Sequence, residues 1–200
     1  MKNIAIFASG SGTNAQAIAE HFNGSSLARI ACILSNKPDA YVLERAKALK
    51  IPSAVFTRDE FYNSVKVLEI LKEDQIDFIV LAGFLWLVPT YLIEAYPRRI
   101  INIHPALLPG YGGKGMYGLR VHQAVIENGD EESGITIHYV NNRYDEGDII
   151  FQARCKVQSD DTPEFLAHRV HELEYAHYPQ VIEDLVSKID SKGSSAGETA

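Results

Sequence analysis

Five strand-length apolar runs occupy the first half of the chain, and none alternates regularly with polar residues. They are NIAIFAS (3–9), ARIACILS (28–35), SAVF (53–56), IDFIVLAG (76–83) and IINIHPALL (100–108). A strand with one wet face must alternate, because successive side chains point to opposite sides. Runs that stay apolar are covered on both faces, the mark of a parallel sheet packed between helices. The segments between them carry helical spacing: VLERAKAL (42–49), EFYNSVKVLEILKEDQ (60–75) and PTYLIEAYP (89–97), the last opening on Pro89 and stopped by Pro97. Strand–helix alternation of this kind predicts an α/β fold with a doubly wound, mostly parallel sheet.

The second half changes style. PGYGGKGMYG (109–118) reads as a mobile glycine-rich loop, and LRVHQAVIENG (119–129) as a helix closed by Gly129. GITIHYV (134–140) alternates, NNRYDEGD (141–148) is a turn, and DIIFQARCKV (148–157) returns as its antiparallel partner, a C-terminal hairpin. A long C-terminal helix follows over 162–189, with Thr162 as N-cap before Pro163; Pro179 is expected to kink it or split it in two. We expect a single domain over 1–188 and a disordered polar tail over 189–200.

A net charge of −7 argues against wholesale nucleic-acid binding, which leaves a basic footprint, but not against small anionic ligands. Cys32 and Cys155 both fall in apolar strand runs, fitting a reducing compartment better than a disulfide framework. The opening run MKNIAIFASG is too short for a secretory leader or a membrane span. The expected setting is cytoplasmic, away from membranes, with small-molecule partners and a monomeric or homodimeric state.

Chemistry concentrates in three places. SGSGTNAQAI (9–18) joins the first strand to a helix, where backbone N–H groups and the helix dipole favour an anion. Gly10, Gly12 and Ala15 also satisfy the dinucleotide spacing, but the second strand ends Ser35-Asn36-Lys37, and Asp39 comes only after a proline. A phosphate site is preferred; a dinucleotide site with Lys37 on a 2′-phosphate, and a bare turn, stay open. Second, Asn102 and His104 lie two apart on one face of a strand, and Pro105 holds His104 extended. Third, Asp145 in the NRYDEGD turn is the candidate partner for His104. HRVHELEYAH (168–177) lacks the H-E-x-x-H pattern of a zinc helix, and no metal is expected. No G-x-S-x-G occurs, and both cysteines sit in strand runs, so no protein nucleophile is in evidence. That set suits a reaction in which the substrate is itself the nucleophile.

Taken together, the GSGTN loop, VLAGF, NIHPALLPG, ENGDEESG and the Asp-x-Gly turn resemble the phosphoribosylglycinamide formyltransferases, a branch of the folate-dependent formyltransferase family. The resemblance runs over roughly residues 1–188. It implies a Rossmann-like formyltransferase fold and formyl transfer from 10-formyltetrahydrofolate, as co-substrate, to the amine of glycinamide ribonucleotide in purine biosynthesis. It implies Asn102, His104 and Asp145 as catalytic residues, with His104 held protonated by Asp145. Gly12, Thr13 and Asn14 would bind the ribose phosphate, and Glu174 the amine. Phe84, Leu85, Trp86, Leu87, Val88 and Asn102 would line the folate pocket, with Asn141 and Tyr144 against the pterin and Arg58 near the glutamate tail. Trp86 and the long GYGGKGMYG loop, with Lys114 and then Arg120, depart from the family pattern. His122 matches a family histidine near the phosphate.

Overall fold

The computed structural model describes residues 1–189; the expected disordered tail, 189–200, lies almost wholly outside the described residues. The strands are β1 (Lys2–Ala8), β2 (Ala28–Ser35), β3 (Ser53–Val55), β4 (Phe78–Leu81), β5 (Ile100–His104), β6 (Glu132–Tyr139) and β7 (Ile149–Lys156). The helices are α1 (Thr13–His21), α2 (Val42–Ala48), α3 (Arg58–Tyr62), α4 (Lys66–Glu73), α5 (Thr90–Ala95), α6 (Leu119–Glu127) and α7 (Pro163–Ser187). The strands form one sheet in the order β3-β2-β1-β4-β5-β6-β7. Pairing is parallel from β3 to β5 and antiparallel from β5 through β6 to β7, as the change of sequence style predicts.

The uninterrupted apolar runs are explained by two cores. Ile4, Ile6 and Ala8 face one, built with α1, α2, α6 and α7; Ala5 and Phe7 face the other, built with α3, α4 and α5. The chain leaves β1 toward β2 and β3, then returns to β4 on its other side. That reversal opens a crevice at the carboxyl ends of β1 and β4, where open α/β sheets bind ligands.

Two local expectations are corrected. Residues 60–75 are not one helix: α3 and α4 are separated at 63–65. Asn63 Nδ2 donates to Asp59 Oδ1, Ser64 Oγ donates to the Glu60 carbonyl, and Ser64 Oγ accepts from the Lys66 N–H. These side chains take backbone and side-chain partners that compete with a continuous helical ladder. Conversely, Pro179 does not split α7, which runs unbroken for 25 residues. A proline inside a helix costs about 3 kcal/mol or more, and burial offsets it here. Tyr178 and Pro179 are buried, and the Tyr178 hydroxyl donates to the Leu81 carbonyl at 2.9 Å, fastening the helix to β4.

Candidate active site

The first functional segment is the turn from β1 into α1. Gly12 has φ +75, and a Cβ there would stand 2.4 Å from Val42 Cγ2 and 2.9 Å from Val42 Cα. Glycine is needed on both counts. The turn is held from α2: the Val42 N–H donates to the Gly10 carbonyl, and Arg45 Nε donates to the Ser11 carbonyl at 2.8 Å. Gly12 is the N-cap of α1 and offers no side-chain cap, so first-turn N–H groups face outward for an anion. Ser9 ties this turn to its neighbours. Its hydroxyl donates to Asn36 Oδ1 and accepts from the Leu85 N–H.

Behind the turn lies a buried polar pair. Asn14 Nδ2 donates to Glu174 Oε2 at 2.7 Å, while Asn14 Oδ1, also buried, has no partner among the described residues. Glu174 is only 5% exposed, and burial pushes its carboxyl up to about 7 against the pull of Asn14. His171 Nε2 stands 4.0 Å from the same carboxylate. Buried His122 is pushed down to about 4 by burial, with His171 and His104 adding to it.

The second cluster gathers on β5, β6 and the turn after β6. Asn102 pairs with His138 and His104 with Thr136 across the antiparallel ladder. His104 Nε2 donates to the Tyr111 carbonyl at 2.8 Å, which directs Nδ1 to Asp145 Oδ2 at 3.6 Å. A carbonyl only accepts, so neutral His104 carries its proton on Nε2. His138 is arranged the other way round: Nδ1 donates to the Tyr139 carbonyl at 2.8 Å, and Nε2 lies 3.1 Å from Asn102 Nδ2 and 3.6 Å from Asp145 Oδ1. Asn102 Nδ2 also reaches Asp145 Oδ1, at a long 3.4 Å.

Asp145 sits at φ +58, a conformation uncommon for a residue with a Cβ. Gly147 lets the turn fold so tightly, since a Cβ there would stand 1.6 Å from the Tyr139 carbonyl oxygen. Burial works to raise the Asp145 carboxyl. His138, the His104 ring and the Gly113 N–H, at 2.9 Å from Oδ2, outweigh it and hold it below the usual range. For His104 the balance is reversed. Burial outweighs Asp145 and the Tyr111 carbonyl, and its pKa lies below the ordinary imidazole value. The Asp145 attraction, acting across 3.6 Å, thus opposes the desolvation of His104 without overcoming it.

One cavity of about 640 Å³ joins both clusters. Of the residues singled out in the sequence, it brings together Gly12, Thr13, Asn14, Phe84, Leu85, Asn102, His104, Tyr144, Asp145 and Glu174. Lys37, Lys114 and His122 also line it, whereas Arg58, Trp86, Leu87, Val88 and Asn141 do not. Trp86 packs with Phe56, Phe61 and Tyr62, and the Arg58 guanidinium lies over the Tyr62 and Trp86 rings. The Leu87 carbonyl accepts from the Tyr62 hydroxyl, Val88 is buried in the apolar core beneath, and Asn141 Oδ1 accepts from the Arg143 N–H. His138 is the residue that sequence reasoning missed. Its signal was the alternation of GITIHYV, which places it on the face of Thr136, but only strand pairing sets it opposite Asn102.

A helix start without a side-chain cap and an Asn/His/Asp group at a sheet switch point define a class, and the chain belongs to the formyl transferase family, whose model matches residues 2–182. Within that family the similarity is to phosphoribosylglycinamide formyltransferases. The chloroplastic enzyme of Arabidopsis thaliana is 42% identical over 187 residues, covering 90% of this chain and 64% of the relative. That of Haemophilus influenzae is 41% identical, covering 91% and 86%. The crystal structure of the Bacillus halodurans phosphoribosylglycinamide formyltransferase superposes with a TM-score of 0.83 at 40% identity, covering 94% of this chain and 96% of that one. The chain thus spans just under two thirds of the plant relative and most of the bacterial one.

Proposed function

We propose that the protein transfers the formyl group of 10-formyltetrahydrofolate to the amine of glycinamide ribonucleotide, giving formylglycinamide ribonucleotide and tetrahydrofolate. The observation that carries this reading is the shared cavity: an uncapped helix start and a buried carboxylate at one end, and Asn102, His104 and Asp145 at the other. The phosphate sits on the N–H groups of 12–14, where the helix dipole favours negative charge. The amine faces Glu174. An ammonium there would ionise the carboxyl, and its loss of a proton frees the lone pair for attack. The folate lies along Phe84 and Leu85, with Tyr144 beside its ring.

Attack on the formyl carbon forms the new C–N bond and pushes a pair of electrons onto the formyl oxygen. Asn102 Nδ2 donates to that oxyanion, exchanging its long contact with Asp145 for a stronger one. His104 has its Nε2–H committed to Tyr111, so it donates from Nδ1 only as imidazolium. The oxyanion and the Asp145 carboxylate both favour that form as charge develops, so the ring takes up the proton shed by the attacking nitrogen, holds it while the oxyanion exists, and then releases it toward the leaving group. The tetrahedral carbon then expels the folate nitrogen. The proton given up by the amine ends on that nitrogen, with Asp145 relaying it through water.

The test is a formyl-transfer assay with glycinamide ribonucleotide and a 10-formyl folate, followed by folate absorbance, beside His104→Ala. Amine-dependent turnover that vanishes in the variant supports the reading. Folate binding without turnover would move the proposal to another amine, and no folate binding would overturn it.

A further inference from the structure

The ENGDEESG stretch takes no part in the chemistry above, yet one of its side chains reaches the site through a single intermediary. Asp130 lies in the corner between α6 and β6. Its Oδ2 accepts from the Tyr111 hydroxyl at 2.6 Å, and its Oδ1 accepts from Asn128 Nδ2 at 2.7 Å. Tyr111 has φ +57, a conformation a tyrosine does not hold without outside help. Its ring is anchored against the core and Asp130, and its carbonyl takes the Nε2–H of His104 at 2.8 Å. Two residues on, the Gly113 N–H donates to Asp145 Oδ2. The segment 111–113 therefore touches both members of the pair.

We propose that Asp130 is a positioning residue for His104. It fixes the Tyr111 ring, and so the backbone carbonyl that keeps the imidazole proton on Nε2 and leaves Nδ1 facing the cavity. Only the kinetic readout of this role rests on the transfer reaction proposed above. Without the strut, the loop loses its anchor and the carbonyl drifts from Nε2. The ring then populates both tautomers and loses the fixed orientation that sets Nδ1 toward Asp145 and the cavity. The groups facing His104 are Asp145 from the turn after β6, His138 from β6, His122 from α6 and the Tyr111 carbonyl itself. Of these, the carbonyl is the one that Asp130 controls.

The experiment compares Tyr111→Phe, Asp130→Ala, the double variant and Asp130→Asn. The expected loss in kcat is about 10- to 100-fold for either single change, the range a small displacement of a catalytic group produces. The double variant should be no worse than the singles, because both cut one strut. Asp130→Asn keeps an acceptor oxygen and should recover most of the rate. In the proposed reaction His104 starts neutral and so sets the acid limb of the kcat profile; the carbonyl favours imidazolium, and its loss should move that limb to lower pH. A substrate-free readout is the nitrogen NMR of the imidazoles: wild-type His104 should report the Nε2–H form, and Tyr111→Phe a mixture. Additive losses, or a lower melting temperature with tautomer and pH limb unchanged, would reduce the contact to a structural tie and overturn the proposal. A wild type that shows the tautomer response but no turnover would overturn the proposed reaction and leave this inference standing.

Discussion

Two carboxylates share one cavity and are built in opposite ways. Asp145 meets a backbone N–H, the Asn102 amide and two imidazoles, and stays anionic below the usual carboxylate range. Glu174 is more deeply buried, has Asn14 as its hydrogen-bond donor among the described residues, and is pushed up to about 7. Burial works on both in the same direction; the number of donors decides the outcome. In the proposed reaction the first would favour positive charge on His104, and the second, a carboxyl of adjustable charge, would meet the incoming amine.

The largest effect expected is at the anionic end. His104→Ala or Asn102→Ala should lower kcat by about 100- to 1000-fold, the usual loss when one oxyanion donor is removed. Single-turnover kinetics would check it, and an unchanged rate would break the assignment of roles.

The next test sets the two carboxylates against each other through stability. The folded Glu174 holds its proton to about 7, whereas the unfolded one releases it near 4.5. Its contribution is therefore best below 4.5 and is lost as the pH rises through 7. Glu174→Gln should then raise the stability of the ligand-free protein at pH 8, by up to about 3 kcal/mol at 1.36 kcal/mol per unit. It should give no such gain near pH 4, and it should weaken amine binding. Asp145 has the opposite sign: its contribution is present above the usual carboxylate range and is lost as pH falls through the lowered value. Asp145→Asn should cost stability at neutral pH. Urea melts at pH 4 and pH 8 would decide, and two changes of the same sign at pH 8 would break the comparison.

Smaller effects sharpen it. Gly147→Ala forces the Asp145 turn away from the Tyr139 carbonyl and should cost about 1–3 kcal/mol, the range for overpacking, together with activity. Gly10→Ala, in the anion turn, meets nothing within 4 Å and should be tolerated, unlike any change at Gly12. Smallest of all is Arg98→Ala. Its ion pair with Asp148 is exposed at both ends, and water screens such pairs so that they contribute little. Thermal melts would rank the three.

The two halves of the chain were not equally legible. The parallel half could be read because its constraint is local: a strand covered on both faces must be apolar along its length. The helix break at 63–65 and the survival of α7 through Pro179 were not, since each turns on particular side-chain bonds. In the site, Asn102 and His104 were visible as neighbours on one strand. His138 and the Tyr111 carbonyl were not, because they come from β6 and from a glycine-rich loop with no periodicity.

The sequence by itself therefore determined the layer architecture, the glycine turn into α1 and the placing of Asn102 and His104 on one strand face, all of which depend on spacing within a few residues. Only the tertiary structure decided which way each buried titratable group is pushed. Whether His104 is charged at rest, and whether Glu174 or Asp145 holds a proton, depends on which distant groups share the same buried volume. Desolvation and hydrogen bonding act through space, and contacts such as Asn14 with Glu174, 160 positions apart, leave no trace in local pattern.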